Sequence, residues 1–460
     1  MLSRTIAEQT LAAALRTGGD FAELFVEDTR SSTVLLSAGA IENALTGRSC
    51  GAGIRVYREL SSVYVYTNDL TPAGLLRAAG RAADAIGEAA REVDVRLTGS
   101  VPRNAHAVAQ LPMDVPGARR AEVVRAADAA ARAISPQVRQ VSARLTAWES
   151  DVRIANSEGL FVPDRRVYTR LAVSAVASGG GENQTGSFAP GAMMGFELFG
   201  DRVDPEDAGR RAARQAVTML HAEPCPAGVM CVAIDKGFGG VIFHEACGHS
   251  LEATSVALGN SEFAGRLGEQ IASPIVTAVD DGTLENEWGS LNVDDEGTPT
   301  TRLVLIENGI LKNYMVDRFN GRRMGMPVTG NARRESYAFA PTSRMRNTFI
   351  APGQDDEAEI IASMGDGLYA KAMGGGSVNP ITGEFNFAVS EGYLVKGGKI
   401  DRPVRGATLI GKGADVLMKI DRVGRELALG QGMCGSSSGS VPVNVGQPMI
   451  RVTDITVGGR

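Results

Sequence analysis

An α+β fold in two domains is what this sequence predicts, and three observations predict it. At 460 residues the chain exceeds the length at which a single hydrophobic core keeps growing. In its first half, four segments with apolar residues at helical spacing are separated by stretches that alternate with period two. Past residue 228 the pattern turns mostly strand-like, broken by some of the 56 glycines, many in pairs that suit tight turns.

In chain order, residues 5–15 read as an amphipathic helix, and 21–27, 32–37, 53–57 and 61–67 as short strands. Thr71 as N-cap with Pro72 behind it starts an alanine-rich helix running to about residue 91. Residues 118–134 are again helical, 138–148, 152–156 and 167–177 read as strands, and 205–221 as a helix. This order suggests an amino-terminal α+β domain, residues 1–223, made of two related halves. Pro224, Pro226 and Gly228 interrupt both helix and strand pairing and mark a boundary. Residues 224–460 then read as a β-rich domain, opening with a strand at 229–235, a glycine-rich turn and an apolar helix. Two hairpins follow: 302–307 with 310–316 through Asn308-Gly309, and 392–396 with 399–400 through Gly397-Gly398.

Composition narrows the function. The 47 basic and 53 acidic residues, net charge −6, are interspersed rather than clustered, which argues against nucleic acid and anionic membranes as partners. No segment approaches the ~20 apolar residues of a membrane span, so a cytoplasmic protein is expected. The five cysteines, Cys50, Cys225, Cys231, Cys247 and Cys434, are too few and scattered for a disulfide scaffold. Cys225 and Cys231 lack the Cys-x-x-Cys spacing of a redox pair. The Lys236-Gly237-Phe238-Gly239-Gly240 turn is read as close packing rather than a phosphate cradle, and Asp294-Asp295-Glu296 as a polar turn rather than a calcium loop.

The strongest signal is His244-Glu245-Ala246-Cys247-Gly248-His249, which holds two of the four histidines in the chain. Imidazoles ligate zinc, and a carboxylate beside the metal can take a proton from an attacking water. Histidines five apart on a regular α-helix diverge by roughly 140°. The helix must therefore deviate, by a π-turn or by ending at a left-handed Gly248. A catalytic zinc normally takes three protein ligands and leaves one position open. By spacing, Glu252, Cys247 and Cys434 are all candidates for the third, although Cys247 reads better as a packed residue and Cys434 falls in a glycine- and serine-rich, loop-like segment.

Several motifs extend the pattern: His244 to Glu252, Asp294 to Pro299, Asn331-Ala332-Arg333-Arg334, Pro341 to Thr348, Asn379 to Phe385 with Ser390-Glu391-Gly392, Cys434-Gly435, Ser440-Val441-Pro442 and Gly446-Gln447-Pro448. With these the whole chain resembles the TldD/PmbA peptidases, and the metal-bearing TldD-type members in particular. The resemblance implies one Zn2+ per chain held by His244, His249 and Cys434, Glu245 as the catalytic base, and unfolded or short peptides as substrates. It also implies a dimer, including a heterodimer with a PmbA-type paralogue. Arg333, Arg334, Arg344 and Arg346 stand in these motifs as candidates for holding substrate or oxyanion, or for ion pairs, with Tyr337 a weaker oxyanion candidate. The rival expectation is a non-catalytic peptide-binding or modulator subunit whose metal is structural.

Overall fold

The computed structural model describes residues 2–87, 92–379 and 381–459; the second helix, expected to run to about residue 91, ends at Ile86 with Gly87 extended, and 88–91 lie outside the described residues. The chain is α+β. Its first sheet is antiparallel in its long strands: β1 (Phe21–Ser37), β2 (Ala40–Arg58), β3 (Ser61–Thr67), β4 (Val138–Asn156), β5 (Leu160–Gly179) and β6 (Glu182–Phe188), ordered β3-β2-β1-β4-β5 with β6 beside β5. These strands are longer than the sequence predicts, because 21–27 and 32–37 fuse into one strand, as do 138–148 and 152–156. The polar residues that break each apolar run face charged partners across the ladder. Arg30 meets Glu149 at 2.6 Å, Arg48 meets Asp28 at 2.6 Å and Arg165 meets Asp151 at 2.8 Å, so pairing continues where hydrophobicity stops.

Four helices cover one face of this sheet. Helices α1 (Arg4–Leu15) and α2 (Pro72–Ile86), the latter capped by Thr71 as expected, pack on Leu24, Val26, Ile54 and Val56. Helices α3 (Gly117–Arg132) and α4 (Pro205–Leu220) pack on Val34, Leu36, Val141 and Leu171 at the other end. Alternation turns Phe25, Val152 and Ile154 to the opposite face, where they meet Val293. Trp148 and Tyr168 there meet Trp288.

The rest of the chain builds two further large sheets and a two-stranded one, Ala332–Arg333 with Thr342–Ser343. Strand β7 (Gly228–Ile234), β8 (Ala278–Asp281), β9 (Arg302–Glu307), β10 (Asn347–Ile350), β11 (Gly367–Val378), β12 (Glu384–Lys396), β13 (Lys399–Arg405), β14 (Thr408–Lys412), helix α5 (Gly413–Met418), β15 (Ala428–Ser436), β16 (Gly439–Gln447) and β17 (Ile450–Gly458) follow in order. Pairings β11-β7-β17-β14-β12 return to β11 and close the second sheet on itself. The motif helix buries Ile242, Phe243, Ala246 and Cys247 in the same core as Leu368, Phe385, Phe387 and Leu409 of these strands. The third sheet runs β9-β8-β10-β16-β15, with Ile310–Leu311 beside β9.

Two expectations are corrected here. Asn308 and Gly309 do form the primed turn, both at positive φ, and Lys312 and Asn313 still donate to the Leu305 carbonyl, but residues 314–316 leave the hairpin. Met315 N–H donates to the Leu251 carbonyl at 3.0 Å and its own carbonyl accepts from Ala253 at 2.8 Å, so this segment braces the end of the motif helix. The segment around Cys434 is not a loop: it is β15, paired with β16 from Ala428↔Gln447 to Ser436↔Gly439. Its glycines suit close contact with Phe238, 2.9 Å from where a Cβ on Gly430 would sit.

Candidate metal centre

A 3₁₀ turn (Gly237–Gly240) and one α-turn (Val241–Phe243) lead into a π-helical segment, His244–Gly248. His249 N–H donates to the His244 carbonyl, the i→i+5 bond that places residue i+5 over residue i. Of the two deviations the spacing allowed, the chain takes the π-turn; Gly248 stays right-handed at φ −56°. Glycine is required there by contact instead, since a Cβ would strike the Met345 sulfur. At the helix start, a Cβ on Gly240 would lie 2.5 Å from the Gly446 carbonyl oxygen of β16.

The two rings approach at 5.1 Å between centroids, nearly perpendicular. His244 Nε2 lies 3.4 Å and His249 Nε2 3.3 Å from Cys434 Sγ, and the three donor atoms fall within 4.8 Å of one another. Zinc with nitrogen at ~2.0–2.1 Å and sulfur at ~2.3 Å in tetrahedral array separates N from S by about 3.5 Å. The donor set therefore fits that ion in both chemistry and size. Burial alone would raise the Cys434 thiol, but the His244 and His249 rings pull it down to about 3, which favours the ligating thiolate. His249 is also buried, yet Glu252 and Cys434 beside it raise its pKa well above the usual value.

Glu245 projects to the same side, its Oε2 3.7 Å from His249 Nε2, with the side chain 31% exposed. Glu252 stands behind: its Oε2 is 3.0 Å from His249 Nδ1, the ring nitrogen turned away from Cys434. Its other oxygen accepts from Met345 N–H at 3.2 Å. Glu252 thus touches the imidazole from outside the donor triangle, and Cys247 is buried away from it in the apolar core. His244 Nδ1 is buried with no hydrogen-bond partner among the described residues.

The arginines divide. Arg334 pairs with Glu23, and Arg346 with Asp280 at 2.7 Å, both wholly buried; these are ion pairs of the fold. Arg344 donates to the Cys434 carbonyl, to Ser438 Oγ and to the Gly439 carbonyl, clamping the β15–β16 hairpin. Arg333 donates through Nη1 to the Met345 and Pro442 carbonyls. Tyr337 packs against Tyr66 and accepts at its carbonyl from Tyr64, on the amino-terminal sheet rather than with the triad. Asp294 accepts from the backbone N–H groups of Glu296, Thr298 and Ala332, consistent with a structural turn. Lys236 is engaged by Glu357 and Glu426, and all five cysteines are free.

Sequence reasoning missed two supports of β15. Trp288 Nε1 donates to the Gly432 carbonyl at 2.8 Å and Arg170 to the Gln431 carbonyl at 3.0 Å. The available signal was scarcity: the chain has two tryptophans, and they pack together.

Three family models match this chain: PmbA/TldA metallopeptidase domain 1 over residues 22–86, its central domain over 111–220 and its C-terminal domain over 227–459. The metalloprotease TldD homolog of Haemophilus influenzae is 45% identical over 321 residues, 68% of this chain and 67% of that one. A metalloprotease of Methanothermobacter thermautotrophicus is 34% identical over 441 residues, 96% of each chain. The zinc metalloprotease TldD homolog of Saccharolobus solfataricus is 32% identical over 58% of this chain and 59% of its own length. Among solved structures, TldE of Thermococcus kodakarensis matches with a TM-score of 0.77 at 19% identity, over 96% of this chain and 97% of that one. A Thermotoga maritima protein described as a candidate modulator of a DNA gyrase matches at 0.81 and 22% identity over 99% of each. At such identities the structural likeness is one of fold. By the family models and the sequence relatives together, the chain belongs to the PmbA/TldD metallopeptidase family.

Proposed function

We propose that this chain is a zinc-dependent peptidase that hydrolyses unfolded or short peptides with low sequence specificity. The observation that carries the reading is the meeting of two imidazole nitrogens and one thiolate beside the partly exposed Glu245 carboxylate. In it, residues 224–460 form the catalytic domain, and His244, His249 and Cys434 hold one zinc ion with a position left open. When bound, that ion supplies Lewis acidity toward the scissile carbonyl and the attacking water. Glu245 accepts the water's proton and returns it to the leaving amine, so no covalent intermediate is needed. Arg344 and Glu252 hold the Cys434 strand and the His249 ring in place. Low specificity follows if the substrate is gripped by its main chain along a sheet edge, where side chains matter little. The reading places the chain in the cytoplasm, in a dimer with a PmbA-type paralogue as partner.

Glu245→Gln tests the reading, because the amide keeps the shape of the side chain and cannot take a proton. The expected protein binds zinc fully and leaves an unstructured peptide intact. Cleavage at the wild-type rate by this variant would remove Glu245 as the base. A zinc-loaded wild-type chain that cleaves nothing, alone or with a PmbA-type partner, would instead favour a peptide-binding subunit with a structural metal.

A further inference from the structure

The hairpin that carries Cys434 also walls a cavity of about 240 Å³ between itself and the amino-terminal sheet, lined by Trp148, Tyr168, Leu291, Arg333, Met433 and Pro442 among others. Met433 immediately precedes Cys434, and Val441, also in the wall, is its cross-strand partner. The cavity thus borders the ligand strand, on the face opposite the Cys434 side chain, since neighbouring residues of a strand point to opposite sides. Its size is below the ~300–1,000 Å³ of pockets that take a whole ligand and suits one side chain or one chain end.

Its charges are mostly spent. Arg166 pairs with Asp164 and Asp295 and Arg334 with Glu23, while the exposed Glu335 has no cation partner among the described residues and accepts from Ser440 N–H. Glu27 accepts from Thr29 and from Tyr337 N–H, and burial pushes its carboxyl up, which disfavours a negative charge there. Among the cations of the wall, Arg333 is the exception. It is 2% exposed, its Nη1 meets only two carbonyls, and neither its Nε nor its Nη2 has a partner among the described residues. Burial without a paired carboxylate lowers its pKa to about 10. The Tyr168 hydroxyl, on a residue of the same wall that acts on Arg333 electrostatically, also lacks a partner among the described residues, while the ring is fixed by stacking on Trp148 at 4.9 Å and edge contact with Trp288 at 5.4 Å. A buried cation is stable when paired and hydrogen-bonded, and a guanidinium next to a phenol O–H presents the donors that a carboxylate accepts.

We propose that this cavity is a substrate subsite that receives a carboxylate of the bound peptide, with Arg333 as its counter-charge and Tyr168 as a second donor. The proposal rests on the peptidase reading and gives it a preference: an acidic side chain or the free carboxyl end of the substrate is drawn next to the metal-bearing strand.

Binding is measured in the zinc-loaded Glu245→Gln protein, so that cleavage does not interfere. Three peptides of one length and sequence frame are compared: one with an aspartate and an amidated end, one with a free end and no acidic residue, and one with both neutral. The carboxylate peptide that fits binds at least about tenfold tighter than the neutral one, as a charge-assisted pair requires, and which of the two it is identifies the source. Arg333→Met reduces that advantage to near unity, and Arg333→Lys restores part of it. Tyr168→Phe, which keeps the ring stack and so guards against a folding defect, reduces it several-fold. Equal affinity for all three peptides, or a preference that survives Arg333→Met, would overturn the subsite. N-acetylaspartate amide is titrated separately against tryptophan fluorescence, with Trp148 in the cavity wall as reporter. An Arg333-dependent change with this small probe, in a protein that cleaves no peptide, would uphold the subsite while the peptidase reading fails; cleavage without any acidic preference would do the reverse.

Discussion

Cys434 and Glu252 reach the same imidazole from opposite ring nitrogens, 3.3 Å from Nε2 and 3.0 Å from Nδ1 of His249, and single substitutions tell their roles apart. Cys434→Ala removes one of three ligands and is expected to leave most of the protein without zinc after gel filtration. Glu252→Gln keeps all three, and loses only the carboxylate that orients the ring, so affinity falls by about 10–100-fold. Metal analysis and competition with a chromogenic chelator measure both; zinc content unaffected in Cys434→Ala would exclude the thiolate and return Glu252 to the donor set. Much of this was legible: two of four histidines flank a glutamate in one hexapeptide. Cys434 was not readable from spacing, because it stands 185 residues beyond His249 and only the β10–β16–β15 ladder brings it back. Nor was the clamp by Arg344, two of whose three acceptors are main-chain carbonyls and so carry no side-chain signature.

At the scale of elements, the π-turn is held by what surrounds it. A methyl on Gly240 meets the backbone of Gly446, which cannot move without breaking the β10–β16 pairing; a methyl on Gly248 meets the end of the Met345 side chain. Gly240→Ala is therefore expected to cost about 1–3 kcal/mol, and Gly248→Ala less, read as the order of their thermal midpoints in the zinc-loaded protein. Equal midpoints, both unchanged, would mean that the motif helix is not packed this tightly. The five-residue spacing of the histidines foretold a departure from α-helix, and local turn chemistry foretold the Thr71 cap and the Asn308-Gly309 turn. Strand length was hidden, since the charge pairs that carry β1, β2, β4 and β5 through their polar stretches join residues distant in sequence. The fate of residues 314–316 was hidden for the same reason: the partners of Met315, Leu251 and Ala253, lie at the end of the motif helix.

For the whole molecule, a closed sheet buries the motif helix, a second sheet delivers Cys434, and the amino-terminal sheet props the Cys434 strand through Arg170 and the Trp148–Tyr168–Trp288 cluster. The α+β class could be read from periodicity, whereas the closing of β11 onto β12 could not, because pairing of distant strands leaves no local trace. No helix among the described residues is long and apolar enough to cross a membrane. The central claim is that a metal held by His244, His249 and Cys434 makes this fold a peptidase. The most direct test follows cleavage of an unstructured peptide by the zinc-loaded chain, with a PmbA-type partner present, through chelation and then stepwise return of zinc. Cleavage should vanish with the metal and recover in proportion to it, saturating near one equivalent per chain; cleavage that persists in metal-free protein would contradict the account.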